Sequence, residues 1–382
     1  MEDLVIGEQR EPRLAPDETG RDPSHGEVNE LFILFEHVRE TFTLGGSFRK
    51  YMDVDSLRAL AAPGWARRPL LDANLDAAAT GALGRMRLKR WDYYGIWTPG
   101  LFASATVAHV GYLGNVFTYV VDLESGQHVE HSLVRPFGRG VALPRNSDAG
   151  DVLYDDGRMR IAFGVEPERR SLSVSDHGFD GGRGLEIEVA LACPPEHESV
   201  VTATPFPGGG FYYNRKINAM PASGELRWGE RRIRARPENS LGQLDWGRGV
   251  WPYRSHWVWA SANGLAKDGR RLGLNLGFFG DHTHASEDAL ILEGRVHKLP
   301  RVSIEFDAHD YRKPWRVTEP GGRVDLLFRP AIERVARVNA LLLRSEVHQL
   351  FGHWSGRALT DAGETLAIEA LPGFAEEHRA RR

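Results

Sequence analysis

Between Phe211 and Trp259 aromatic and ionisable side chains crowd more densely than folding requires. Phe211-Tyr212-Tyr213-Asn214-Arg215-Lys216 opens this stretch. Asp245-Trp246-Gly247-Arg248-Gly249-Val250-Trp251-Pro252-Tyr253-Arg254-Ser255-His256-Trp257-Val258-Trp259 closes it, with five aromatics, one acid, two arginines and a histidine in fifteen residues. A carboxyl group among indole rings has its charged form disfavoured by desolvation, so it can hold a proton near neutrality and donate it. Indole and phenol faces can also stabilise a developing carbocation. That mixture suits acid/base work on a greasy, otherwise unreactive molecule. Asp245 is the candidate general acid or base. Arg248 and His256 are expected to orient it or bind a substrate oxygen, and Tyr253 and Tyr213 to relay protons. Trp246, Trp251, Trp257 and Trp259 would form the apolar wall, and Tyr212, Asn214, Lys216, Trp91 and Tyr93 the rest of the substrate site. The bland alternatives are that the tryptophans fill a barrel interior, and that Asp245 is bound to Arg248 in a structural turn.

A second cluster, Gly280-Asp281-His282-Thr283-His284-Ala285-Ser286-Glu287-Asp288, sets two histidines two apart beside carboxylates. On a strand such a pair can chelate zinc or iron, with Asp281 or Glu287 as a third ligand. A metal-dependent enzyme using Asp281, His282 and His284 is therefore an alternative, although polar loops gather such residues freely. The preferred reading has no metal and no cofactor. Glu287 attracts more attention as an inward-facing acid at a strand mouth. Phosphate-loop, dinucleotide and nucleophile-elbow signatures are missing: Pro207-Gly208-Gly209-Gly210 reads as a turn.

The elements that must position these residues are mostly strands. Phe102 to Val107, Val116 to Leu123, Arg158 to Val165 and Gly184 to Ala192 are short, often β-branched, and broken by Gly, Asp, Asn or Pro. The same texture continues through Leu272 to Phe279, Ala289 to Leu292, Arg301 to Phe306, Arg323 to Phe328, Val335 to Leu343 and Thr365 to Ala370. This predicts meandering antiparallel sheets in a sandwich or barrel. His256 to Ala260 as a strand would put Trp257 and Trp259 on one face and His256 and Val258 on the other. Asp55 to Ala62 reads as a helix ended by Pro63-Gly64, and Leu31 to Phe35 with Val38 and Phe42 fits helix or strand equally. His353-Trp354-Ser355-Gly356 and Asp176-His177-Gly178 read as strand ends entering turns. Trp-x-Tyr-x-x-x-Trp occurs at Trp91 to Trp97 and again at Trp251 to Trp257, and Asp122 to Gln127 is echoed by Ile291 to Arg295. These echoes suggest two similar halves.

With 382 residues, 41% hydrophobic and 26% charged, the chain has the composition of an ordinary globular protein. A net charge of −4 gives no basic field for phosphates, which argues against nucleic acid. Cys193 is the only cysteine, so disulfide frameworks and cysteine-cluster metals are excluded and a reducing compartment, the cytoplasm, is expected. No run approaches the roughly 18 apolar residues of a spanning helix. The expected organisation is a flexible leader over 1–26, a β-barrel domain with a short helical insert over 27–240, and a second barrel over 241–382. A homodimer is compatible with all of this.

The Phe211 to Lys216 block, followed by Gly242-Gln243-Leu244-Asp245-Trp246-Gly247-Arg248-Gly249-Val250-Trp251-Pro252-Tyr253, resembles the bacterial domain-of-unknown-function 2804 family. The likeness runs from about Leu31 to Phe374 and takes in Phe351 to Gly356 and Leu371-Pro372-Gly373-Phe374-Ala375-Glu376. More distantly, the Asp245-Trp246-Gly247 step is similar to the Asp-His-x-Trp-Gly element of the hydroxyneurosporene synthase (carotenoid hydratase) and AttH-like group, without its histidine. That resemblance implies two packed lipocalin-like antiparallel barrels with a few short helices. It also implies a cofactor-independent lyase, hydratase, isomerase or cyclase acting on a terpenoid, polyketide or aromatic substrate. The alternative from another class is a barrel that only binds a lipid or other hydrophobic ligand.

Overall fold

The computed structural model describes residues 4–5, 64–69, 75, 81–206, 209–279, 285–340 and 343–381. Most of the expected leader, the Leu31 to Phe42 run, the Asp55 to Ala62 helix, Pro207-Gly208, and Asp281, His282 and His284 lie outside these residues. Within the leader, Leu4 and Val5 pair with Ala66 and Trp65. Among the described residues helix is confined to short pieces such as Gly81–Arg87. No helix among the described residues is long and apolar enough to cross a membrane.

The chain is mostly β and forms two curled antiparallel sheets. In the first, Leu88–Thr98, Leu101–His109, Leu113–Asp122 and His128–Pro136 make a meander. Leu241–Val250 returns to pair with the free side of Leu88–Thr98, and Phe211–Trp228 follows it outward. In the second sheet, Arg254–Leu265, Arg271–Phe279, Ala289–Leu292 and Arg295–Lys298 make the equivalent meander. Thr365–Arg381 returns to pair with Arg254–Leu265, and Leu343–Leu359 and Val324–Ala340 follow. The second sequence echo falls at matching turns, but the first does not match in place, since Trp97 is next to last on its strand while Trp251 precedes Arg254–Leu265 and Trp257 is its fourth residue. Trp91 and Trp97 lie on the opening strand of the first sheet, and Trp257 lies on that of the second. The glycine turns at Gly126 and Gly294 each join a third meander strand to a fourth.

The sheets change over between Val250 and Arg254, not at the expected 240/241 boundary, because Leu241–Val250 hydrogen-bonds on both sides to first-sheet strands. The strands of the second half are also longer than expected. Val324–Ala340, Leu343–Leu359 and Thr365–Arg381 each run 17 residues, so Val324 to Phe328 only opens a long strand, and the expected Val335 to Leu343 strand is divided between two antiparallel strands, with Ala340 paired to Leu343. The breakers are absorbed as register shifts, one between Pro330 and Ile332 and one between Trp354 and Gly356. His353 to Gly356 is consequently strand interior, whereas Asp176 ends its strand as expected.

Each sheet encloses its own apolar core, one including Tyr94, Leu244 and Trp246, the other Val258, Leu350 and Trp354. The reverse faces pack against each other through Tyr93, Trp97, Phe102, Tyr119, Trp259, Phe351 and Phe374. Central strands are thus buried on both sides, and all ten residues of Leu241–Val250 are buried. Leu244, Trp246 and Val250 enter the first core, leaving Gln243, Asp245, Gly247 and Gly249 facing the second sheet. Gly247 is opposite Trp91 in the register, and a Cβ there would stand 2.0 Å from the Trp91 ring. The glycine lets the indole lie across the strand. Gly247→Ala is expected to cost about 1–3 kcal/mol of stability and to displace Trp91. A lowered melting temperature with altered tryptophan fluorescence would show this, and an unchanged melt and spectrum would refute it.

Candidate active site between the two sheets

Strand register assembles the site in rows. Across the first sheet Tyr93, Asp245, Lys216 and Val200 are successive neighbours, and beside them Trp91, Gly247, Asn214 and Thr202. Across the second sheet the row is Gly277, Trp259, Glu376, Gln349 and Arg334. The two faces meet at Lys216, whose ammonium lies 4.1 Å above the Trp259 ring.

Lys216 Nζ is 2.8 Å from Asp245 Oδ1 and 3.7 Å from Glu287 Oε2, with the lysine side chain only 4% exposed. Asn214 donates from Nδ2 to Glu287 Oε2 at 2.7 Å. Its carbonyl oxygen is held by Thr202 Oγ1 at 2.6 Å and by the Thr202 amide at 3.2 Å, so the amide nitrogen must face the carboxylate. Glu287 belongs to a segment pinned on several sides. Asn275 Nδ2 donates to the Glu287 carbonyl at 2.9 Å, and Asp288 accepts from the Gly277 and Val302 amides. Lys298 Nζ donates to Ser286 Oγ and to the Asp288 carbonyl. Trp259 Nε1 donates to Asn275 Oδ1 at 2.9 Å, tying the indole under Lys216 to the same clamp.

Burial works against the Lys216 ammonium, but Asp245 and Glu287 more than offset it, and its pKa ends above the ordinary lysine value. Burial raises Glu287 above the usual carboxylate range, opposed by Lys216. Glu376 is pushed up to about 7 by burial, although Trp257 Nε1 donates to it at 3.2 Å and Gln349 Nε2 at 3.1 Å. Tyr212 is raised well above 10 by burial and by the nearby Glu287 and Asp245 charges, which keeps its phenol neutral. Near neutral pH the layer therefore offers ammonium, phenol and carboxylic-acid donors beside carboxylate acceptors.

An aromatic wall borders these groups. Trp91 stacks on Tyr212 with ring centres 5.7 Å apart, Trp251 meets both edge-on, and Trp257 stacks on Phe279 at 5.5 Å. On the far side the Tyr93 and Tyr119 hydroxyls share a hydrogen bond of 3.0 Å. Arg334 covers the Tyr119 ring and reaches Glu130 in the first sheet.

Asp245, Glu287, Lys216, Asn214, Tyr212, Tyr93, Trp91, Trp251, Trp257 and Trp259 thus come together, with Trp257 and Trp259 on one strand face as expected. Several others do not. Arg248 lies on the opposite face from Asp245, fully buried, donating to Asp92 Oδ1, the Trp91 carbonyl and the Pro144 carbonyl and covering the Trp246 ring. It cannot orient Asp245, and the Asp245–Arg248 turn is replaced by an Asp245–Lys216 pair. Tyr213 and Trp246 pack edge to face in the first core. Tyr253 is exposed in the link between sheets. His256 Nε2 binds Glu377 Oε1 at 2.9 Å on the opposite face from Trp257. Sequence reading overlooked Glu376, Asn275 and Gln349. The indole-bound carboxyl with a raised pKa, assigned there to Asp245, is Glu376, quoted only as the end of Leu371 to Glu376. Among the described residues no three His, Cys, Asp or Glu side chains are grouped to hold a metal ion.

This chain, matched over residues 55–381, belongs to the family described as domain of unknown function DUF2804. No curated protein matches it. Among solved structures it is similar to CghA crystallised with Sch210972, at 12% identity and TM-score 0.47, over 77% of this chain and 88% of that one. A putative AttH from Nitrosomonas europaea matches at 16% identity and TM-score 0.47, over 81% and 96%. Kievitone hydratase from Nectria haematococca matches at 11% identity and TM-score 0.42, over 77% and 88%.

A pKa of about 7 for Glu376 against 4.5 for a free glutamate means the folded state keeps a proton that the unfolded chain has lost. Its contribution to stability is full below pH 4.5 and is lost as pH rises to about 7, at about 1.4 kcal/mol per pH unit. Glu376→Gln should remove that part of the slope. Urea unfolding at several pH values between those limits would test this, and an unchanged slope in the variant would refute it.

Proposed function

We propose that this protein is an enzyme that adds or removes water, or shifts a double bond, in a hydrophobic small molecule by acid/base chemistry of its own side chains. The observation that carries this reading is the buried Lys216 ammonium shared by Asp245 and Glu287 beside an indole wall. A phenol held neutral and a carboxyl raised to about 7 by burial lie beside this pair, and perturbed groups of that kind concentrate at reactive sites. Lys216 and Tyr212 would bind the substrate carbonyl or hydroxyl oxygen and stabilise charge developing on it. In dehydration Asp245 or Glu287 would take a proton from the carbon next to the leaving oxygen and Glu376 would protonate the departing hydroxyl. In hydration the roles reverse, the Glu376 carboxylate taking a proton from the attacking water while Asp245 or Glu287 returns one to the carbon. Trp91, Trp251, Trp257 and Trp259 would hold the carbon skeleton, with terpenoid, polyketide or aromatic skeletons the classes that suit such a wall. The free thiol of Cys193 fits a reducing compartment such as the cytoplasm.

Purified protein incubated with panels of isoprenoid and polyketide compounds in ¹⁸O- and ²H-labelled water should incorporate label into one of them. Asp245→Asn and Glu287→Gln should each lower that turnover by roughly 100-fold or more while leaving compound binding measurable. Full turnover in Asp245→Asn with unchanged binding would reject its role. Recovery of bound compound always unlabelled and unaltered would make the protein a carrier instead.

A further inference from the structure

We propose that the open end of the second sheet's barrel is a separate binding site for a small organic anion, a phosphate or carboxylate compound. The cleft there has a volume of about 1170 Å³ and lies on the face of Arg254–Leu265 opposite the candidate active site. Neighbouring residues divide between the two sites: Trp257 and Glu376 face the space between the sheets, while His256 and Glu377 face the cleft.

Strand register creates the cationic rim. Arg254, Arg381 and Arg344 are direct cross-strand neighbours on three adjacent strands, an arrangement in which like charges repel. Of the three, Arg344 has a carboxylate partner, Glu346, which Arg337 also uses. The Arg381 Nε is buried with no hydrogen-bond partner. Arg312, Arg337 and Arg379 complete a set of six arginines in the cleft. Against them stand Asp310, Glu333, Glu346 and Glu377, leaving an excess of two positive charges, with histidines neutral, in a chain whose net charge is −4.

The charges are also layered. The Glu377 side chain is only 2% exposed at the base, bound by His256 Nε2, Tyr311 Oη and Arg379. Glu333 and Glu346 are likewise recessed and pair with His348. The side chains of Arg337, Arg344 and Arg379 are more than 60% exposed above them. Each engages its carboxylate with only one or two of five N–H donors, which leaves donors for a further partner. A concave mouth of this volume suits a molecule entering it more than a flat anionic membrane.

Isothermal titration of the full chain with citrate, pyrophosphate and inorganic phosphate at low salt tests the proposal. Saturable binding is expected, weakened at about 300 mM NaCl, and weakened about tenfold or more in Arg381→Gln and in Arg254→Gln/Arg344→Gln. Preference for pyrophosphate or for citrate would assign the ligand as phosphorylated or carboxylated. Without ligand, Arg381→Gln should melt at or above the parent temperature because it relieves repulsion in the row. No binding of any of the three anions overturns the proposal, as does binding that is unchanged in the variants. Capture by phosphatidylserine vesicles without binding of the small anions would overturn it in favour of a membrane contact.

Discussion

A lysine ammonium buried between two sheets is tolerable only if carboxylates come with it, since an unpaired charge there costs several kcal/mol. Lys216 meets that condition through two independent routes. Asp245 is its cross-strand neighbour, fixed by sheet register, and Glu287 arrives from a connection clamped by Asn275, Lys298 and the amides that Asp288 holds. Trp259 comes from the other sheet to cover the ammonium. The first sheet, the second sheet and the connection before Ala289–Leu292 therefore converge on one atom, Lys216 Nζ.

The same interface is held a short distance away by Gln243. Its side-chain oxygen accepts from Trp97 Nε1 at 3.2 Å, Ser261 Oγ at 3.1 Å and Asn263 Nδ2 at 2.6 Å. Asn263 also accepts from the Ala219 amide, and Asn218 donates to Ser261. The Gln243 side-chain oxygen thus bonds to both sheets and fixes how one sits on the other, while the buried Gln243 Nε2 has no hydrogen-bond partner among the described residues. Glycines at 247 and 249 leave room for the Trp91 ring and for the Phe211 carbonyl, each of which a Cβ would meet at about 2 Å.

Much of this was legible in the sequence. Short alternating segments announced the meanders, and the density of aromatics and charges between Phe211 and Trp259 covers the strands on which Lys216, Asp245 and Trp259 come together. The errors arose from strand parity. Asp245 and Arg248 are three apart, so on a strand they point to opposite faces, and Arg248 was drawn to Asp92 in the first core. Tyr213 and Trp246 departed for the same reason, while Tyr212, Asn214 and Lys216 stayed together on the site face. Glu376 escaped notice because the expected strand, Thr365 to Ala370, stopped short of it. Instead the strand continues past Pro372, gaining pairing with Arg254–Leu265 from Gly373 onward, and delivers Glu376 beside Trp259. Contacts between segments more than a hundred residues apart, such as Trp257 with Glu376, leave no local pattern to read.

The central claim is that Asp245 and Lys216 act as one buried unit on the face of the first sheet that meets the second. A double-mutant cycle on unfolding free energy with Asp245→Asn, Lys216→Met and the double variant measures it directly. The account predicts a coupling on the order of 1–3 kcal/mol, with the double variant more stable than the sum of single losses implies. Additivity within about 0.5 kcal/mol would contradict it.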